Sequence, residues 1–142
     1  MNNFTIYLAG AMTGLTFKAM TDWRIKIKQE LLKTSAKSLT VINPVDYYNF
    51  SYPQHDTERE VMEYDLWRLK GSDLVVVNFN NPDSIGTSME LMCAKENNIP
   101  IIGLYEDNYY ADMHPWLKEC CNKVLFTMKD LINYVSEFYL ME

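Results

Sequence analysis

Residues Leu74-Val75-Val76-Val77-Asn78-Phe79 form the most hydrophobic stretch of the chain, and Asn80-Asn81-Pro82-Asp83-Ser84-Ile85-Gly86 follows as a turn-rich loop. A run with no polar alternation predicts a strand buried on both faces, as in a parallel sheet covered by helices on each side. The loop opens a helix expected over about 87–97, which stops before Pro100. The same alternation repeats toward both ends. Phe4 to Ala9 is a short apolar run stopped by Gly10, and Leu39 to Ile42 reads as a second strand halted by Asn43-Pro44. Between them Ala19, Trp23, Ile27 and Leu31 recur every four residues, marking one face of an amphipathic helix. Met62, Leu66 and Leu69 mark another over Thr57–Gly71. Beyond the central run come a fourth strand at Ile101 to Tyr105, a short helix at Trp116 to Cys121 and a fifth strand at Lys123 to Phe126. A last helix carries Leu131, Val135 and Phe138 on one face.

Repeated strand–helix units predict an α/β fold: a flavodoxin-like (Rossmann-like) three-layer sandwich with a five-stranded parallel sheet. The 142 residues, 48 % hydrophobic, suit a single domain over 1–142. Thirteen basic against 19 acidic side chains give a formal net charge of -6, which repels a polyanion and excludes broad nucleic-acid binding. Cys93, Cys120 and Cys121 make no CxxC, so reduced thiols and a cytoplasmic location are expected. His55 and His114 stand far apart, which argues against zinc. Met1-Asn2-Asn3-Phe4 does not read as a signal peptide, and no apolar run approaches the ~20 residues that span a bilayer.

In such sheets ligands lie beyond the carboxyl ends of the strands, which directs attention to the loops starting near Gly10, Asn80 and Glu106. Tyr7-Leu8-Ala9-Gly10-Ala11-Met12-Thr13-Gly14 is neither a Walker A loop nor GxGxxG; alone it means a tight strand-to-helix turn, with Tyr7 packed in the core. Asp65 falls on or near the core-facing stripe of its helix, where a carboxylate is costly unless it is paired, with Arg68 or Arg59 at hand, or faces a cavity. Glu90 is expected in the first turn of its helix. Thr87-x-x-Glu90 fits a capping box, and a carboxylate in the same place can also attack an anomeric carbon; residue type and position leave both open. Tyr47-Tyr48 and Tyr109-Tyr110, with Phe50 and Tyr52 nearby, are oligomer-interface anchors or platforms for a planar base. The nine methionines fill the core.

Taken together, Ile6-Tyr7-Leu8-Ala9-Gly10, Asp65 followed by Ser72-Asp73-Leu74-Val75-Val76, Ser84-Ile85-Gly86-Thr87-Ser88-Met89-Glu90-Leu91, and Ala94 through Asn98-Ile99-Pro100-Ile101-Ile102 resemble the nucleoside 2-deoxyribosyltransferase family over about residues 4–105. The resemblance implies a flavodoxin-like fold in homodimers or in hexamers built from dimers. It makes Glu90 the nucleophile, Tyr7 the residue that positions it, and Asp65 an aid to proton transfer at the base. Gly10 and Met12 match the segment flanking the base, and Ser84, Gly86, Ser88 and Met89 join them as candidate substrate-binding residues. Ser84 stands where some transferases of the family carry a base-contacting aspartate. The substrates implied are 2′-deoxyribonucleosides and free nucleobases, exchanged through a covalent deoxyribosyl–glutamate with retention, in nucleoside salvage. No metal or organic cofactor is implied. A neighbouring subunit's C-terminal tail, here Glu137 to Glu142, approaches the site in the family.

Two alternatives stay open. Similar chains hydrolyse 2′-deoxynucleoside 5′-monophosphates and use a serine at the position of Ser84 to bind phosphate. In those hydrolases a serine from the corresponding loop of a neighbouring subunit helps hold the phosphate; its nearest counterparts here, Ala111 and Asp112, point away from that reading, because an aspartate repels phosphate. The third possibility is a non-catalytic nucleotide-binding α/β module.

Overall fold

The strand read as central, β3 (Leu74–Asn78), is buried along its whole length. It pairs in parallel with β1 (Asn3–Gly10) on one side and β4 (Ile101–Leu104) on the other. β2 (Ser38–Ile42) adds to β1 and β5 (Lys123–Leu125) to β4, both in parallel, giving the order β2-β1-β3-β4-β5. The helices are α1 (Phe17–Thr34), α2 (Glu58–Lys70), α3 (Ile85–Glu96), α4 (Pro115–Cys120) and α5 (Met128–Phe138). This computed structural model describes residues 3–48, 51–106 and 110–142; the expectations placed on Phe50 and Tyr109 lie outside the described residues. The five-stranded α/β architecture expected from the sequence is the one observed.

Two cores sandwich the sheet. Ile6, Leu8, Leu74, Val76, Ile102 and Leu104 face Trp23, Ile27 and Leu31 of α1 and Leu131 and Val135 of α5. Tyr7, Ala9, Val75, Val77 and Ile101 face Leu69 of α2 and Leu91 and Ala94 of α3. The period-two alternation of β1 and β3 thus feeds opposite cores, as the pleat requires.

Four packing expectations change, among them the filling of the core by methionine, since Met62, Met89, Met92 and Met141 are exposed. Ala19 is exposed, so the buried face of α1 starts at Thr21 and Trp23 and includes Arg24. Met62 of α2 is exposed, and Phe138 is a surface residue whose ring stacks on Tyr134 at 5.3 Å. Leu140, by contrast, is fully buried and its carbonyl accepts from the Ala36 amide, which ties the C-terminal tail to its own subunit as far as that residue.

Helix starts differ as well. The N-cap of α3 is Ser84, whose hydroxyl accepts from the Thr87 amide, so the helix begins two residues before the sequence placed it. Glu90 lies one turn further in and caps nothing. The capping box belongs to α2: Thr57 accepts from the Glu60 amide, and Glu60 accepts from the Thr57 amide.

Candidate active site

β1 and β3 are neighbours, yet β1 leads into α1 on one face of the sheet and β3 into α3 on the other. Their carboxyl ends therefore part at a topological switch point, and a cavity of about 700 Å³ opens there. Tyr7 and Gly10 of β1, Met12 and Thr13 beyond it, Asp65 of α2, and Ser84, Gly86, Met89 and Glu90 at the start of α3 all line it. Eight of the nine residues singled out in the sequence thus converge. Ser88 does not line the cavity, and its hydroxyl donates to the Ser84 carbonyl at 3.0 Å. Of the three loops expected to carry the site, those after β1 and β3 contribute. The loop beginning at Glu106 lends no described residue, and α2 takes its place.

Tyr7 is buried in the sheet, as a core residue would be, but its hydroxyl reaches the cavity and donates to Glu90 Oε2 at 2.6 Å. Burial and the neighbouring Glu90 carboxylate push the phenol far up, so it stays protonated and keeps the proton that it donates to Glu90. Glu90 Oε1 has no hydrogen-bond partner among the described residues. Burial raises the Glu90 carboxyl to about 7; the Asp65 charge adds to this, while the Tyr7 hydrogen bond and Arg24 oppose it.

Asp65 makes no ion pair among the described residues. Arg59 pairs with Glu63 at 3.4 Å, and Arg68 donates to the Tyr64 hydroxyl and lies over the Tyr47 ring. The hydroxyls of Tyr47 and Tyr48 donate to Asp65 Oδ1 at 2.6 and 2.7 Å. These two half-buried tyrosines therefore hold a carboxylate through their hydroxyls. Burial raises the Asp65 carboxyl above its ordinary range, against the two phenol hydrogen bonds and Arg24.

Arg24 is the residue that the sequence reading missed. It is 1 % exposed, lines the cavity, and donates to the carbonyls of Met20 and Gly10. Its spacing held the signal, because it lies three residues before Ile27 and seven before Leu31 on the buried stripe of α1. Gly10 is required where it is: a Cβ there would come within 2.6 Å of the Trp23 ring. Thr87 is also buried on the cavity wall, its hydroxyl without a partner among the described residues. No group of three or more His, Cys, Asp or Glu among the described residues is placed to hold a metal, and no helix among them is long and apolar enough to cross a membrane.

Solved structures share the fold over nearly the whole chain. A conserved protein from Enterococcus faecalis V583 aligns with TM-score 0.75 at 17 % identity, covering 96 % of this chain and 99 % of its own. A 2-deoxyribosyltransferase from Bacillus psychrosaccharolyticus aligns with TM-score 0.70 at 19 % identity, covering 92 % and 91 %. A CMP N-glycosidase from Clostridium botulinum aligns with TM-score 0.59 at 18 % identity, covering 94 % and 98 %. At such identities the likeness is one of fold. No curated protein matches the chain. The model of one protein family, described as nucleoside 2-deoxyribosyltransferase like, matches residues 3–108, the span that holds Tyr7, Asp65 and Glu90. The chain therefore belongs to the nucleoside 2-deoxyribosyltransferase-like family.

Proposed function

We propose that the protein is a nucleoside 2-deoxyribosyltransferase that moves the deoxyribosyl group of a 2′-deoxyribonucleoside from one nucleobase to another. The observation that carries this reading is the hydrogen bond from Tyr7 to Glu90 Oε2, which leaves Oε1 without a partner among the described residues on a side chain that lines the cavity together with Asp65. Glu90 Oε1 attacks C1′ as the C1′–N bond breaks through an oxocarbenium-like transition state. The leaving base is protonated through Asp65, whose Oδ1 is held by two tyrosines and whose carboxyl burial raises above its ordinary range. A second base then gives its proton to Asp65 and attacks C1′, releasing Glu90. Tyr7 serves this second step, since its hydrogen bond stabilises the carboxylate as it leaves. Two inversions at C1′ give net retention. Without a 2′-hydroxyl the sugar cation forms more easily, which favours deoxy substrates.

This reading includes a homo-oligomer, dimer or hexamer, acting in cytoplasmic nucleoside salvage. Ile85 and Met89 line the cavity yet are 77 % and 53 % exposed, an apolar rim that a second subunit would cover. A single 17 kDa species in sedimentation at working concentration would remove that part.

One observation favours a second reading, hydrolysis of 2′-deoxynucleoside 5′-monophosphates. Ser84 lines the cavity at the N-terminal end of α3, a place suited to phosphate. Asp83 and Glu58 line the same cavity and oppose a dianion. The experiment is chromatographic: the protein is mixed with 2′-deoxyuridine and adenine, with the monophosphates alone in parallel. New 2′-deoxyadenosine supports exchange. Free base from the monophosphates without exchange moves the protein to the hydrolases. No turnover of either kind makes it a binding module.

A further inference from the structure

Arg24 is the largest fully buried side chain among the described residues. A guanidinium taken out of water needs acceptors for its protons and a balancing charge. Arg24 has two acceptors, the carbonyls of Gly10 and Met20, while its buried Nε has no partner among the described residues. No described carboxylate comes within ion-pair distance of it. The balancing charge is therefore that of the cavity it lines, where the nearby carboxylates are Glu90 and Asp65. The guanidinium stays charged at neutral pH, since burial lowers it only to about 10.

We propose that Arg24 is a positioning residue that holds Glu90 in its ionised form, acting through that carboxylate rather than on the substrate. The proposal rests on the reading of Glu90 as the nucleophile. The groups that face Glu90 come from every element around it. β1 brings Tyr7 and α2 brings Asp65, while Glu58 and Arg59 of α2 and Asp83 of the loop before α3 line the same cavity. Among these, Arg59 already pairs with Glu63 on the exposed side of α2. That leaves Arg24 as the buried cation offsetting two carboxylates. Its grip on the Gly10 carbonyl also anchors the end of the strand that carries Tyr7.

The test reads Glu90 directly in ligand-free protein, by the carboxyl-carbon NMR titration of labelled glutamate, with Glu90→Gln assigning the signal. Arg24→Gln and Arg24→Met are expected to raise the Glu90 midpoint by about half a pH unit or more, and Arg24→Lys to restore most of it. The acid limb of kcat/KM for base exchange should move by the same amount, so the loss of rate is larger at low pH than at high pH. A folded neutral variant with an unmoved Glu90 midpoint would overturn the proposal. So would an Arg24→Lys midpoint raised as far as in the neutral variants. Failure of both neutral variants to fold makes Arg24 a structural residue and overturns it equally. The titration needs no turnover, so absence of exchange by the unaltered protein would defeat the transferase reading alone.

Discussion

Tyr47 donates its hydroxyl to Asp65 Oδ1 at 2.6 Å, from a 3-10 turn (Pro44–Tyr47) to a helix 18 residues further along. Tyr48 donates to the same oxygen, so Oδ1 is saturated and Oδ2 is the oxygen left without a partner among the described residues. Asp65→Asn is expected to slow turnover strongly while leaving deoxynucleoside binding detectable by calorimetry. An unchanged rate would make Asp65 a structural carboxylate. Tyr47→Phe with Tyr48→Phe removes two hydrogen bonds that lower the Asp65 carboxyl, so its titration midpoint should rise further in the double variant.

Glu90→Ala is expected to abolish turnover and leave the protein folded, because Ser84 rather than Glu90 caps α3. Activity retained in the variant would remove the nucleophile assignment. Circular dichroism on the same sample separates loss of chemistry from loss of fold.

Stability should carry the same signature. The Glu90 carboxyl is raised in the folded protein to about 7 from an ordinary 4.5. The folded state thus binds this proton more tightly than the unfolded chain. The contribution is fully present below the ordinary value and is lost as pH rises through the folded one. The difference in Tm between the unaltered protein and Glu90→Gln should therefore change across that window in favour of the variant as pH rises. A flat difference would mean that Glu90 is not shifted.

Tyr7→Phe removes the hydroxyl and keeps the ring packed in the core. The expected loss in kcat is about 10- to 100-fold, equivalent to about 1.4–2.7 kcal/mol. The acid limb of the pH–rate profile should move up, because the lost hydrogen bond lowers Glu90. Equal loss at every pH would make Tyr7 an orienting group only.

Ser84→Ala should cost about 1 kcal/mol through the lost N-cap of α3. Ser84→Asp keeps a good cap, so its Tm should stay near that of the unaltered protein. In a transferase Ser84→Asp keeps activity on deoxynucleosides; in a monophosphate hydrolase it repels the phosphate and activity collapses. Parallel assays on both substrates decide between them.

The sheet was legible because its physics is local. An unbroken apolar run such as Leu74–Val77 has few alternatives to a strand buried on both faces, and Gly10 and Pro100 punctuate the chain at their elements' limits. Helix starts were less legible, since Thr57-x-x-Glu60 and Thr87-x-x-Glu90 look alike as text. Only the first forms the reciprocal bonds, because the hydroxyl of Ser84 reaches the Thr87 amide and starts α3 earlier. The partners of Asp65 were misread for a different reason. Charge invites the expectation of an ion pair, and helical spacing offered Arg59 and Arg68. Neutral donors from a segment distant in sequence fill that place instead, and nothing along α2 announces them. Arg24 was overlooked although its spacing matched the buried stripe, because a charged residue on a mostly polar helix is ordinarily solvated.

All four strand pairings among the described residues are parallel, and no two adjacent strands among them can be zipped by a tight hairpin. The chain must close long loops before any pairing rewards it, which makes assembly slow relative to helix formation. The site magnifies this dependence, for the Tyr7–Glu90 contact joins residues 83 positions apart. Turnover after dilution from denaturant should therefore return with completion of the sheet and lag behind any early gain of helical signal. Under the proposed function, catalysis is a reporter of global order, and a fragment lacking either end of that contact would be silent however well its helices formed.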